Sequence, residues 1–142
     1  MPKRYLLDTN ILTVLMDDPD GHVAAKVASV IAAREIVCTS IIVAAESRFG
    51  VAKKGSDRLR RKVEELLAEI DVLPLEPNAD EYYAELRADL EHKGRLIGGN
   101  DMFIAAHALA TDSILVTNNV REFSRVKGLR IENWLAEPTT AH

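Results

Sequence analysis

The sequence has one cysteine, Cys38. A single thiol cannot close a disulfide within the chain, so a bridge-stapled fold is excluded and nothing asks for an oxidising compartment. Long apolar runs are missing as well. The longest uncharged apolar stretches, Ile36 to Ala45 and Met102 to Thr111, fall short of the roughly 20 residues that a membrane-spanning helix needs. Asp8 interrupts the first apolar run too early for a signal peptide, and the expected location is the cytoplasm. Aromatic residues are only 5% of the chain, too few for an obvious base-stacking platform. Positive charge is not in excess either. Eighteen Lys and Arg against 22 Asp and Glu leave a net charge of −4. That excludes nonspecific coating of nucleic acid by a basic molecule, but not an acidic site that gathers cations. Repeats, low-complexity segments and linkers are absent from the sequence.

The composition that remains is ordinary for a globular domain: 47% hydrophobic and 28% charged over 142 residues. A chain of this length buries enough surface to hold a core unaided. One domain over residues 1–135 with a tail at 136–142 is expected.

Strand-like and helical patterns alternate. Arg4 to Leu7 reads as a first strand, after which Thr9 caps a helix running to Met16. Asp17 to Gly21 reads as a turn. Val23, Val27, Val30 and Ile31 share a helical face. Ile36 to Thr39 forms a second strand, and Ser40 caps a helix that stops at Gly55. Leu59, Val63, Leu66, Leu67 and Ile70 stripe the next helix. Val72 to Leu75 is a third strand, placed at an edge by Pro74. Asn78 and Glu81 have capping-box spacing ahead of a helix bearing Tyr82, Tyr83, Leu86 and Leu90. Asn100 caps a helix from Asp101 to Ala110. Ile114 to Thr117 is a fourth strand, and Leu129 to Ile131 a fifth. The pattern predicts an α/β domain with a mostly parallel sheet of four to five strands flanked by helices.

Ligands of such sheets bind beyond the carboxyl ends of the strands. Asp8 closes the first strand, Glu46 follows the second, Asp101 opens the helix before the fourth, and Thr117, Asn118 and Asn119 close the fourth. Gathered on one rim, these oxygens suit a hard cation such as Mg²⁺. Cys and His at zinc-like spacing are lacking. A plainer reading stands beside each residue. Asp8 and Asn10 can cap a helix, Asp101 can answer a helix dipole, and Asn119 can serve a turn. Glu46 lies in the apolar run Ile41 to Glu46, where burial would demand a partner, either a metal or an arginine. Asp17, Asp18 and Asp20 lack the closing Glu of a calcium loop and read as a turn. His107 reads as a packed or hydrogen-bonded residue, and Cys38 and Trp134 as core.

Leu6-Leu7-Asp8-Thr9-Asn10, Glu46, Ile97-Gly98-Gly99-Asn100-Asp101 with Ile104-Ala105-Ala106-His107-Ala108, and Val116-Thr117-Asn118-Asn119-Val120-Arg121-Glu122-Phe123 resemble the PIN-domain nucleases. Among these the likeness is to VapC toxins of type II toxin–antitoxin systems. It covers nearly the whole chain and includes Val126-Lys127-Gly128-Leu129 and Asn133-Trp134. The resemblance implies a PIN-like fold and metal-dependent RNA hydrolysis. Asp8, Glu46 and Asp101 match the family's acidic metal ligands. Asn119 stands where many PIN domains carry a fourth acid, a departure from the pattern. Thr117 matches a supporting hydroxyl, and Thr9 and Asn10 match its usual neighbours. A homodimer and a VapB-type antitoxin are also implied.

The chemistry is coherent. Two divalent ions about 3.5–4 Å apart can activate a water and relieve charge on a leaving oxygen. One or two Mg²⁺ are expected, with Mn²⁺ as a substitute. Asp8 and Asp101 then contact metal directly, Glu46 completes the first site or holds a water on it, and Asn119 assists the second. For RNA, Lys53, Lys54, Arg58 and Arg61 form a basic stretch, against a reading as a solvated helix face paired with Glu64, Glu65 and Glu69. Arg87, Arg95 and Arg121 are further candidates for phosphate contacts. Structured RNA such as tRNA or rRNA is the expected substrate. Two rivals remain. A phosphatase with an aspartyl nucleophile needs a second acid where Asn10 stands. A catalytically retired module would bind RNA or protein without turnover.

Overall fold

Three apolar runs with no room for a solvated face set the architecture. Tyr5 to Leu7, Cys38 to Ser40 and Ile114 to Val116 are buried throughout, as strands covered on both sides by helices must be. The computed structural model describes residues 1–135. Its elements are β1 (Arg4–Leu7), α1 (Thr9–Asp17), α2 (His22–Ala32), β2 (Ile36–Ser40), α3 (Ile41–Lys54), α4 (Asp57–Glu69), β3 (Asp71–Leu73), α5 (Ala79–His92), α6 (Gly99–Ala110), β4 (Ser113–Val116), α7 (Val120–Phe123) and β5 (Ile131–Glu132). The expected tail at 136–142, His142 included, lies outside the described residues.

The strands form one sheet in the order β3-β2-β1-β4-β5. Every pairing is parallel, with Leu7 beside Thr39 on one side and Val116 on the other. Thr39 is fully buried at this central register, and its hydroxyl donates to the Leu7 carbonyl at 2.7 Å. Trp134 closes the far end. Its ring lies 5.3 Å from that of Tyr5, and its indole N–H donates to Glu132.

Several boundaries differ from the sequence reading. Asp8, not Thr9, caps α1 and accepts from the Thr9 amide at 2.8 Å. Ser40 and Ser56 cap α3 and α4 through their hydroxyls, and Gly55 ends α3 at φ +65°. The capping box at Asn78 does not form. Asn78 is held at φ +88° without a side-chain cap, and its backbone amide donates instead to Asp80 Oδ1 at 3.2 Å. Asn100 lies within α6, whose cap position is Gly98. β3 starts at Asp71, so Pro74 falls just past its end. The fifth strand is Ile131–Glu132. α7 carries no sequence signal, because four residues are too few to show helical periodicity. Phe123 anchors it in the core with no exposure, and burying that ring is worth about 1.5–3 kcal/mol.

The stripe from Leu59 to Ile70 faces the core, with Val63 and Leu67 buried, and so do Leu86 and Leu90. The large apolar side chains left in solvent include Ile41 and Phe49 on α3.

Candidate active site

The strand order reverses direction at the centre of the sheet. From β1 the chain runs outward through β2 to β3, then crosses back to β4 and β5. The two halves diverge between β1 and β4, which opens a crevice at their carboxyl ends. Asp8 and Thr117 are the residues that follow those two strands. The Asp8 amide donates to the Val116 carbonyl at 2.9 Å, so the backbones are joined at the crevice.

Asp8 is 4% exposed, and both its oxygens are engaged. Oδ1 accepts from the Thr9 amide, and Oδ2 accepts from the Thr117 hydroxyl at 2.7 Å. Thr117 in turn accepts from the Asn119 amide at 3.0 Å, which leaves its proton for Asp8. Burial pushes the Asp8 carboxyl above its ordinary range. The Thr117 and Thr9 bonds oppose that push, and the Glu46 charge adds to it.

Glu46 lies in the second turn of α3 and is half-buried. The expectation that its apolar run is buried holds only for part of it: Val43 and Ala44 are enclosed, whereas Ile41 and Ala45 face solvent. A helix has a period of about 3.6 residues, so a run of six goes all the way around it. Glu46 finds neutral partners rather than an arginine. Its Oε1 accepts from the Thr9 hydroxyl at 2.6 Å, and its Oε2 accepts from the Asn100 amide at 3.4 Å. Asn10 holds the other side of the crevice, where its Oδ1 accepts from the Asn118 amide at 3.5 Å.

Asp101 stands in the first turn of α6. Its carboxyl is pushed up to about 6, first by burial and then by the charges of Asp8, Glu46 and Glu122. Asp101 therefore feels the charge of three other acids. Glu122 is the residue that sequence reasoning missed. Asn119, expected at the fourth place, is half-buried, and its side-chain amide donates to Glu122 Oε2 at 3.4 Å.

Among the described residues, no three His, Cys, Asp or Glu side chains already meet in a ready-made metal cluster. The donor set nevertheless fits Mg²⁺. It is wholly oxygen, acidic beyond its own cations, and shaped by hydroxyls and amides. Mg²⁺ keeps several waters and takes one or two carboxylates, so it does not require a closed protein cage.

His107 is 1% exposed and joins α6 to α3. Ser40 Oγ accepts from the Ile42 amide at 3.0 Å and lies 2.7 Å from His107 Nδ1. The direction of that second bond follows the imidazole tautomer. Burial lowers the His107 pKa. The Pro74 carbonyl opposes that shift, although Nε2 makes no hydrogen bond of normal geometry.

The basic candidates are dispersed. Lys53, Lys54, Arg58 and Arg61 are exposed at the corner between α3 and α4. Arg87 is exposed on α5, where it donates to the Tyr83 hydroxyl at 2.7 Å. Arg95 lies in the segment leading to α6, and Arg121 is on α7 beside Glu122.

The PIN domain family model matches residues 5–129. Ribonuclease VapC2 of Rickettsia felis is 38% identical over 132 residues, spanning 92% of this chain and 97% of the relative. The tRNA(fMet)-specific endonuclease VapC of Salmonella typhimurium is 32% identical, spanning 92% and 98%. In the crystal structure of VapBC2 from Rickettsia felis bound to a promoter DNA fragment, a chain 36% identical to this one superposes with a TM-score of 0.86. That match covers 92% of this chain and 98% of the other. A family match over most of the chain, a shared fold and relatives of nearly equal length agree, and the chain belongs to the PIN-domain family, in its VapC branch.

Proposed function

We propose that this chain is a metal-dependent endoribonuclease, the toxin of a toxin–antitoxin pair, that hydrolyses phosphodiester bonds of structured RNA. One observation carries the reading. At the switch point of a parallel sheet, Asp101 is pushed up to about 6, first by burial and then by the charges of Asp8, Glu46 and Glu122. Mutual repulsion of this kind is unfavourable until a cation relieves it, so proton and metal binding are coupled there.

Asp8 and Asp101 hold the metal most directly, with Glu46 beside them. Thr117 fixes the orientation of Asp8 by donating to Oδ2, and Thr9 and Asn100 fix Glu46. Asn119 assists the second ion, and its side-chain amide also donates to Glu122. Mg²⁺, or Mn²⁺ in its stead, supplies activation of water and charge relief at the leaving oxygen. The number of ions is one or two.

A tRNA target follows the activity named for the Salmonella relative, and rRNA is the other structured RNA that the reading admits. A VapB-type antitoxin follows the VapBC complex of the Rickettsia structure. Inhibition by that partner uses a cationic side chain placed among the acids, where it would displace metal. A homodimer and a cytoplasmic setting belong to the same reading. Among the described residues no helix is long and apolar enough to cross a membrane.

The test is cleavage of a mixed tRNA and rRNA pool by the purified chain, with Mg²⁺, Mn²⁺ or chelator, beside Asp101→Asn. Discrete fragments that need the ion and vanish in the variant are expected. A folded, ion-binding chain that yields none would defeat the proposal.

A further inference from the structure

Arg125 follows the end of α7. Phe123 and Val126, on either side of it, are buried, so its backbone has a fixed seat. Its amide donates to the Glu122 carbonyl at 3.1 Å. The side chain is half-buried. Its Nη1 donates to the Leu96 carbonyl at 3.1 Å, while its Nε is enclosed without a partner.

A cation drawn partly out of water is normally matched by a carboxylate, because an uncompensated charge is costly to desolvate. Glu122 stands three residues earlier, the spacing at which side chains on a helical turn meet. Arg125 nevertheless makes no ion pair among the described residues. Glu122 accepts from Asn119 instead, and its charge is left to act on Asp101. An aliphatic side chain would fill the same seat without an unpaired N–H, so packing alone does not account for an arginine here. The bond to Leu96 does.

Leu96 belongs to the segment between α5 and α6. Among the described residues, the Arg125 bond is the only hydrogen bond that joins residues 96–98 to another element. What it steadies lies two residues on. Gly98 caps α6, and its carbonyl accepts from the Met102 amide at 2.9 Å. A Cβ built on Gly98 would lie 3.5 Å from Asp101 Oδ2, so the Asp101 carboxylate rests beside this backbone. One side chain therefore links the turn that carries Glu122 to the loop beneath Asp101. Resting on the nuclease reading, we propose that Arg125 is a positioning residue of the metal site, which holds the Leu96 carbonyl so that Asp101 keeps its place opposite α7.

The test is isothermal titration of Mg²⁺ into the substrate-free chain, with wild type beside Arg125→Met and Arg125→Lys. Methionine keeps the apolar stem and loses the donor, whereas lysine keeps a donor and the charge. Arg125→Met should weaken Mg²⁺ binding about tenfold, the lower end of what losing an outer support costs a metal site. Arg125→Lys should recover most of that affinity. Losses of equal size in the two would mark the residue as packing and overturn the proposal. Thermal melts of the metal-free variants establish that they fold, and Arg125→Gln takes the place of Arg125→Met if that chain does not, with the same loss expected. Affinity within about twofold of wild type in the variant without the donor would also overturn the proposal. So would weaker binding of bulk tRNA with a lower salt slope and unchanged Mg²⁺ affinity, since Arg125 would then be a phosphate contact. Cleavage of RNA by the wild-type chain is scored separately. If it cleaves while Arg125→Met binds Mg²⁺ normally, the positioning role falls and the nuclease stands. If it binds Mg²⁺ without cleaving while Arg125→Met binds the ion less tightly, the positioning role stands and the nuclease falls.

Discussion

Thr117 is the residue whose hydroxyl matters most to the state of Asp8. It is fully buried and, among the described residues, is one of two donors to a carboxylate that is itself almost without solvent. Thr117→Val keeps the shape and removes the donor, leaving a buried acceptor unsatisfied at a cost of about 1–3 kcal/mol. Chemical denaturation should show that loss, and isothermal titration should show weaker Mg²⁺ binding, because the Asp8 proton is then harder to displace. Asp101 gives a pH signature with a definite sign. Its folded carboxyl titrates near 6 against an ordinary 3.8, so the folded chain holds the extra proton between those values. Stability of the metal-free chain should therefore fall as pH rises through that window and level off above it. Asp101→Asn should flatten that part of the profile and leave the metal-free chain more stable than wild type at pH 7, as measured by thermal melts. A profile unchanged by the substitution would show that the repulsion is not there. The residue types were readable in sequence because acids at strand ends have few structural uses. Glu122 escaped because its proximity to Asp101 depends on how α7 packs through Phe123, a contact that local pattern does not encode.

The elements are held in register by the bond between Ser40 and His107. Asp101 and His107 are six residues apart on α6, and Ser40 and Glu46 are six apart from cap to helix on α3. The bond therefore sets how the two helices present their acids. His107→Ala should cost about 2–5 kcal/mol through the cavity it leaves. Ser40→Ala should cost about 0.5–2 kcal/mol through the lost cap. If the bond positions the acids, both variants should also lower kcat more than they raise KM, and His107→Gln should recover part of kcat. Stability loss with kcat intact would make it a packing contact only. Neutral His107 also sets a direction with pH: its folded pKa lies below 6.5, so its contribution is present at neutral pH and is lost as pH falls below that value. At this scale the sequence was informative where helices were long and amphipathic, as in α4, and where serines preceded them. It misled at Asn78 and Asn100. Asparagine suits both caps and turns, and the surrounding chain decides which.

For the whole molecule, fold and site meet in the strand order. Parallel strands alternating with helices were legible from the apolar runs. The order β3-β2-β1-β4-β5 was not, since nothing local reports on which side of β1 the chain returns. That return brings Thr117 to Asp8, so the site exists only in the completed sheet. The unfolded chain has the same acids without their convergence, and a divalent ion should accordingly bind the folded state and stabilise it. At about 100 times its Kd, Mg²⁺ should add about 2.7 kcal/mol to unfolding, visible as a calorimetric Tm raised by several degrees and reversed by chelator. The rise should be smaller at pH 5 than at pH 7.5, because protons then compete at Asp101, and it should be absent in a chain carrying both Asp8→Asn and Asp101→Asn. The same linkage extends to the antitoxin. If the partner inserts a cation among these acids, it lowers Mg²⁺ affinity, and Mg²⁺ must lower the partner's affinity by the same factor. Titrating the antitoxin into the chain with and without saturating Mg²⁺ should give different Kd values. Equal values would place the partner's hold on the molecule wholly outside the acidic site.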